Sequence, residues 1–382
     1  DVCSDMVERL RAGKSHIQDV TDEQLCQHIE RAYFPTSNAE DLRRCDFIII
    51  CVPTPLLEDK IPNLSYIKSA CATIKTILHQ GQLIILESTT FPGTTDEVVV
   101  PVLEETGLVA GCDFGVAYSP ERVDPGNKSY PIDKVPTVVG GINAECTEIA
   151  AALYGSVIEK IVSVHDAKTA EAVKMVENIF RNVNIALVNE MALIFERMGI
   201  DTWEVINAAA TKPYGFMPFY PGPGIGGHCI PLDPYYMSYR AKKFGFIPRF
   251  IETSGEINDF MKMHVVNLVE TGLKQVGKRL YGAKVAVLGL AYKKNINDPR
   301  ESPAIKFIEE LKNLGADVRV YDPFVPSLAT KDGVLASVGS IEEALIGAEC
   351  AVFLVDHDAF KGISMEAVKT LMASPVIVDG KN

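Results

Sequence analysis

Residues 46–53 read "DFIIICVP", an unbroken apolar run closed by a proline. A run this short, without alternation, marks a strand buried on both faces in a parallel sheet. "QLIILEST" (82–89) repeats the pattern, and "SYIKSACATIKTIL" (65–78) between them carries helical spacing. The three pieces form a βαβ unit of a doubly wound sheet. Ligands meet such sheets at the carboxyl ends of the strands, which here read "CVPTP" (51–55) and "ESTTFPGTT" (87–95).

Working back from this unit, Asp1 precedes "VCSDMVERLRAG" (2–13), a helix stopped by Gly13. Asp1 thus sits where a strand has just finished, the place from which an acid accepts hydrogen bonds from the ribose of a dinucleotide. A first strand, a glycine-rich turn and a first helix, roughly 30 residues, belong before it. Their absence leads us to expect an N-terminal truncation. The end at "IVDGKN" (377–382), straight after a strand, likewise leads us to expect a missing C-terminal piece.

Working forward, "AKTAEAVKMVENIFRNVNIALVNEMALIFERMG" (167–199) is a long helix, apolar around most of its circumference, as in a buried helix or an oligomer interface. Gly199 stops it, and "DTWE" (201–204) reads as a capping box opening the next helix. Lys174 and Asn178 are i,i+4 neighbours on the long helix, joined on that face by Glu171 and Asn182. A second strand–helix series follows: "KVAVLGL" (284–290), "SPAIKFIEELKNLG" (302–315) with Ser302 as N-cap and Gly315 as stop, "DVRVYDP" (317–323), "AECAVFLVD" (348–356) and "PVIVDG" (375–380). The fold class is therefore α/β, two Rossmann-like doubly wound domains joined by a central helical region.

A chain of 382 residues suits two or three domains, and 47% hydrophobic with 23% charged residues is ordinary globular composition. A net charge of −13 argues against nucleic acid as the main partner. No apolar run reaches the ~18 residues of a membrane span, and we expect no secretion signal from these residues. The nine cysteines form no CxxC pair, and an odd, irregular set suggests reduced thiols in the cytoplasm.

One of them stands apart. "GPGIGGHCIPLDP" (222–234) puts Cys229 at the end of a glycine-rich loop, four residues before Asp233. It reads either as a buried thiol beside a turn or as a nucleophile. Neither His228–Cys229 nor "DHD" (356–358) supplies convergent ligands at a zinc-like spacing, so no metal is expected.

Six segments in order, "CVPTP", "ESTTFPGTT", "SPERVDPG" (119–126), "AEAVKMVEN" (170–178), "PGPGIGGHCIPLDP" (221–234) and "GLAYKKNINDPRES" (289–302), resemble the nucleotide-sugar 6-dehydrogenases, the UDP-glucose/GDP-mannose dehydrogenase family. The stretch 211–236 is most similar to the UDP-N-acetylglucosamine 6-dehydrogenase branch. The resemblance implies an NAD-binding Rossmann domain over 1–160, a central helical domain with the cysteine loop over 161–270, and a UDP-sugar-binding domain over 271–382. It also implies a homodimer through the central helix and a UDP-N-acetyl sugar as substrate.

Oxidising a C6 alcohol to a carboxylate removes two hydrides, hence the need for NAD and for a thiolate that holds the intermediate aldehyde. The resemblance places that thiolate at Cys229 and an oxyanion-stabilising lysine at Lys174. Asn178 would bind sugar or water, and Asp233 would handle protons or orient Lys174. Glu121 would be the base for thioester hydrolysis and Thr89 would position the water. Arg122, Val123, Asp124, Gly226, Gly227 and Lys293 fall on the substrate side. Asp1, Val52, Pro53, Thr54, Ser88, Thr89 and Arg300 fall on the cofactor side. The alternatives are the same chemistry on UDP-N-acetylmannosamine, UDP-N-acetylgalactosamine or UDP-glucose, a cysteine hydrolase using Cys229, and a nucleotide-sugar binding protein without turnover.

Overall fold

The computed structural model describes residues 1–17, 20–124, 130–227 and 229–381. Two compact units emerge, Asp1–Glu177 with Tyr235–Phe244, and Asn178–Pro234 with Gly245–Asn382.

The first unit begins with α1 (Ser4–Arg11) and α2 (Asp22–His28). Gly13 closes the turn after α1 at φ +70°, and Thr21 with Gln24 forms a full capping box on α2. A five-stranded sheet follows, in the order β1 (Phe47–Ile50), β2 (Leu83–Leu86), β3 (Gly115–Tyr118), β4 (Thr137–Gly141), β5 (Ile161–Ser163). Neighbours are parallel except β3 with β4. Helices α3 (Ser65–Lys75), α4 (Val100–Glu104) and α5 (Ala144–Gly155) cover it.

The period-two alternation of strand side chains sorts the core. Ile84 and Leu86 pack with Ile67, Cys71, Ile74 and Leu103 on one face. Leu83 and Ile85 meet Cys146, Ala150 and Tyr154 on the other. Both faces of β2 are buried, as its unbroken apolar run requires.

Helix α6 (Ala167–Met198) is 32 residues long and ends at Gly199, φ +68°. Its first turns belong to the first unit. There the fully buried Glu171 accepts hydrogen bonds from Gly93 N (2.5 Å), Thr95 N (2.8 Å) and the Thr95 hydroxyl (2.8 Å), tying the loop after β2 to the helix.

Burial pushes the Glu171 carboxyl up to about 7, against the pull of these donors. A folded value above the unfolded one of about 4.3 means that Glu171 contributes fully to stability below the unfolded value. That contribution is lost as pH rises through about 7. Glu171→Gln is therefore expected to flatten the fall of the urea midpoint between about pH 5 and 8 relative to wild type. Parallel profiles for the two proteins would assign the slope to another group.

The second unit contains α7 (Thr202–Ala210), α9 (Arg249–Gln275) and a four-stranded sheet; the short helix α8 (Asp233–Lys243) precedes α9 in the chain. Asp201 supplies the N-cap half of the anticipated box, its carboxylate accepting from Trp203 N and Glu204 N. The sheet comprises β6 (Lys284–Leu288), β7 (Asp317–Tyr321), β10 (Cys350–Phe353) and β11 (Val376–Asp379), all parallel in the order β11-β10-β6-β7. A hairpin of β8 (Ser327–Thr330) and β9 (Gly333–Ala336) lies outside it.

Helix α10 (Pro303–Asn313) starts at the Ser302 cap; α11 (Ile341–Leu345) and α12 (Met365–Leu371) complete the unit. Val285 and Val287 pack with Val269, Leu273, Phe307 and Leu311, while Ala286 and Leu288 pack with Leu345 and Val368. One helical layer lies on each face, the doubly wound arrangement.

Candidate active site

In the first unit the strand ends converge on a charged cluster. Ser88 bridges the ends of β1 and β2: its hydroxyl accepts from Val52 N (2.8 Å) and donates to Ile50 O (3.2 Å). Tyr236 donates to Thr54 O (2.8 Å), so the loop through Val52, Pro53 and Thr54 is fixed from two sides. Thr89 follows, partly exposed between the buried Ser88 and Thr90. Asp1 is exposed, one carboxylate oxygen accepting from Cys3 N (2.8 Å).

Lys174 is only 6% exposed, and its ammonium donates to the carbonyl of Glu121. It does not snorkel to water. The Glu121 carboxylate accepts from Val123 N (2.6 Å). Surrounding protein raises its pKa above the ordinary carboxylate range, with the Lys174 charge opposing and Glu87 adding to the rise. Its side chain still reaches solvent. Arg122 is held by Glu177 (2.7 Å) and Pro136 O, while Val123 is half-buried and Asp124 exposed.

In the second unit the glycine loop presents its thiol outward: Cys229 is exposed. Its carbonyl accepts from Asp233 N (2.9 Å) and Leu232 N (3.2 Å), closing 229–233 into a single turn that leads into α8. Asn178 donates to Asp233 Oδ2 (2.5 Å) and Asn182 to Ile230 O (3.1 Å), clamping that turn to α6. At the loop's other end Asn189 accepts from Gly222 N (3.0 Å) and donates to Asn258 Oδ1 (2.9 Å). Asn258 returns to Asn182 O (3.1 Å), and Ser254 donates to Asn182 Oδ1 (2.8 Å). All four asparagines are buried.

Of these four asparagines, sequence reasoning gave a role to Asn178 alone. The only signal for Asn182 and Asn189 was asparagine recurring at 178, 182, 184 and 189 along α6.

The glycines of the loop are there for close approach. A Cβ on Gly226 would stand 2.7 Å from Pro303 Cδ and from Tyr292 Cβ, and 3.0 Å from Glu301 O; Gly227, at φ +84°, faces the Tyr292 ring. Gly226→Ala is thus expected to destabilise the protein by roughly 1–3 kcal/mol, since neither proline ring nor backbone can yield cheaply. Chemical denaturation checks it, and an unchanged midpoint would mean that the two loops separate freely.

Lys293 is half-buried on the facing loop. Arg300 is exposed and forked onto Asp298 (2.6–3.1 Å), which together with smaller contributions from Tyr292 and Cys229 raises its basicity. This arginine therefore lies within electrostatic reach of the thiol. His228 lies outside the described residues, and among those described no group of three His, Cys, Asp or Glu side chains could hold a metal ion.

Parallel sheets wound with helices on both faces, and functional side chains gathered at strand ends, define a nucleotide-binding α/β protein. Models of the UDP-glucose/GDP-mannose dehydrogenase family match in all three parts: the NAD binding domain at residues 1–158, the central domain at 168–260 and the UDP binding domain at 286–382. The chain is 37% identical over 385 residues to a UDP-N-acetyl-D-mannosamine dehydrogenase of Pyrococcus horikoshii, covering 100% of this chain and 88% of that one. It is 38% identical over 372 residues to a UDP-N-acetyl-D-glucosamine 6-dehydrogenase of Pseudomonas aeruginosa, covering 91% and 86%. The solved UDP-D-ManNAc dehydrogenase of P. horikoshii superposes with a TM-score of 0.93 at 36% identity, over 100% of this chain and 88% of that one.

The chain belongs to the UDP-glucose/GDP-mannose dehydrogenase family. Its activity is that of an NAD-dependent nucleotide-sugar 6-dehydrogenase acting on a UDP-sugar.

Proposed function

We propose that the substrate is UDP-N-acetylglucosamine, oxidised at C6 to the uronic acid through sulfur-bound intermediates on Cys229. The observation that carries this reading is the exposed thiol at the end of a glycine loop whose two ends are clamped by buried asparagines. Relatives named for UDP-N-acetylglucosamine and for UDP-N-acetylmannosamine support an N-acetylated hexosamine.

The residues would divide the work as follows. Removal of hydride and proton from the C6 alcohol leaves an aldehyde, and the Cys229 thiolate adds to its carbon to form a thiohemiacetal. Loss of a second hydride leaves a thioester. Water then attacks the acyl carbon, the thiolate departs and the carboxylate is released. Lys174 would stabilise the developing oxyanion, and Glu121, its pKa raised by burial, would take the water's proton. Asn178 would hold the Asp233 side chain in line with the thiol's turn. Thr89 would position the water, and Arg122, Val123, Asp124 and Lys293 would face the sugar nucleotide.

NAD, when bound, would accept one hydride, so two NAD molecules in turn would take up the two. The groups that would hold it suit a dinucleotide: the exposed Asp1 carboxylate offers acceptors to ribose hydroxyls, and the fixed loop Val52–Thr54 with Ser88 gives a rigid apolar wall at the strand ends. Arg300 would lie on the cofactor or phosphate side. The segments 1–160, 161–270 and 271–382 would bind NAD, carry the cysteine loop and bind the UDP-sugar, in keeping with the limits of the matched family domains.

Dimerisation through α6 is supported by its exposed Phe180, Leu187, Ile194 and Met198, spaced along one side of the helix. The thiols, none of them in a disulfide among the described residues, favour the cytoplasm, and no described helix is long and apolar enough to cross a membrane.

The test is NADH formed per sugar consumed, with UDP-N-acetylglucosamine beside the manno and galacto epimers and UDP-glucose. Two NADH per sugar, with the highest kcat/KM for the first substrate, is the expected result. A higher kcat/KM for another sugar would retain the chemistry and overturn the substrate.

A further inference from the structure

The loop "AYKKNINDPRES" (291–302) runs between β6 and α10 and is far longer than such connections usually are. It turns through two non-glycine residues in the left-handed region, Asn295 at φ +60° and Glu301 at φ +51°. A loop this long and bent needs outside support. It finds it in a buried pair from two other strand ends, Asp322 after β7 and His357 after β10, both side chains fully buried.

The hydrogen bonds fix the pair completely. Asp322 Oδ2 accepts from Leu290 N (2.6 Å) and Ala291 N (3.0 Å), and Oδ1 from Phe324 N (2.8 Å) and Val325 N (3.0 Å). An oxygen so placed takes a donor from His357 Nε2, 3.0 Å away. With its proton on Nε2, the imidazole has a lone pair at Nδ1, and there it accepts from Asn295 N (2.9 Å). A second, exposed clasp lies alongside: Asn295 Nδ2 donates to Asp358 Oδ2 (2.6 Å), and Asp358 N donates to Asn295 Oδ1 (3.1 Å).

What the loop carries gives this arrangement its meaning. The Tyr292 ring, one residue before Lys293, packs on Gly227 of the cysteine loop, and Glu301 O and Pro303 face Gly226. The relay Asp322–His357–Asn295 thus ends on the two loops that present Lys293 and Cys229.

We infer that His357 is a positioning residue for the nucleotide-sugar site: a single imidazole tautomer, set by Asp322, fastens the midpoint of loop 291–302, and through Tyr292 that loop fixes the glycine loop bearing Cys229. This rests on the proposed function for its kinetic consequence, though not for its structural one.

Two substitutions separate the two bonds of the ring. His357→Gln keeps a donor near the Nε2 position for Asp322 and removes the acceptor for Asn295 N. His357→Asn keeps an acceptor near the Nδ1 position and removes the donor to Asp322. In hydrogen-exchange mass spectrometry of the full chain, peptides covering 291–302 and 222–227 are expected to exchange about ten-fold faster in His357→Gln, the loss of one buried bond. In His357→Asn they are expected to stay within about three-fold of wild type.

In steady-state kinetics, KM for the UDP-sugar is expected to rise about ten-fold in His357→Gln and to recover in His357→Asn. Asp358→Ala, at an exposed site, is expected to move both readouts the same way by a smaller factor, which covers the case in which His357→Gln does not fold.

Wild-type exchange of 291–302 in His357→Gln, or in Asp358→Ala should that be the folded variant, would overturn the inference. So would a KM for the UDP-sugar that rises equally in His357→Gln and His357→Asn. Accelerated exchange in His357→Gln alone, in a protein with no turnover on any UDP-sugar, would uphold the positioning role and refute the proposed function.

Discussion

Serine at position 229 is expected to lower turnover by on the order of 10³-fold or more, the scale seen when a covalent nucleophile is removed. Only the thiolate both adds readily to an aldehyde and leaves readily from an acyl carbon. With a hydroxyl in its place the first oxidation can proceed, but the aldehyde has no sulfur to hold it and no thioester can form. Single-turnover mixing is therefore expected to give at most one NADH per sugar from Cys229→Ser, with the melting temperature close to wild type because the thiol is exposed. Two NADH per sugar at an undiminished rate would remove Cys229 from the chemistry.

The second large effect belongs to Lys174. Its ammonium is buried and anchored on the Glu121 carbonyl, so its charge acts where water is scarce. A fixed cation at a developing oxyanion contributes about 10²–10³ to kcat. Lys174→Met is expected to lose that factor, with KM for the UDP-sugar changed far less. Lys174→Arg is not expected to restore it, since a planar guanidinium cannot occupy the volume of the ammonium. A loss confined to KM would assign Lys174 to binding alone.

Much of this was legible in the sequence because local rules sufficed. The apolar runs 46–53 and 82–89 became β1 and β2 in parallel register, and Ser302, Pro303 and Gly315 bounded α10 as their types demand. Of the two strands, burial on both faces holds for β2 alone: in β1, last in its sheet, Phe47 and Ile49 are exposed. The antiparallel β4 was not legible, since nothing in "TVVGG" (137–141) states its direction. Nor was the hairpin of β8 and β9.

In the site, glycine and cysteine announced themselves, but amides did not. Asn182, Asn189 and Asn258 look like solvated polar residues on helices until tertiary structure buries them around the loop they hold. Lys174 was ambiguous for the same reason: burial is a property of neighbours distant in sequence. His357 illustrates the limit most clearly. "DHD" is a surface-like tripeptide, and only the pairing of β7 and β10 on either side of β6, with their carboxyl ends together, seats its imidazole on Asp322.

The most direct test of sulfur-mediated oxidation uses Glu121→Gln, in which hydrolysis of the thioester is expected to be slowed. The protein is mixed with UDP-N-acetylglucosamine and NAD, quenched in acid and digested, and the peptide bearing Cys229 is weighed. The account predicts that this peptide gains the mass of the acylated nucleotide sugar and that Cys229→Ser abolishes the gain. An unmodified Cys229 peptide, in a protein that still forms two NADH per sugar, would contradict it.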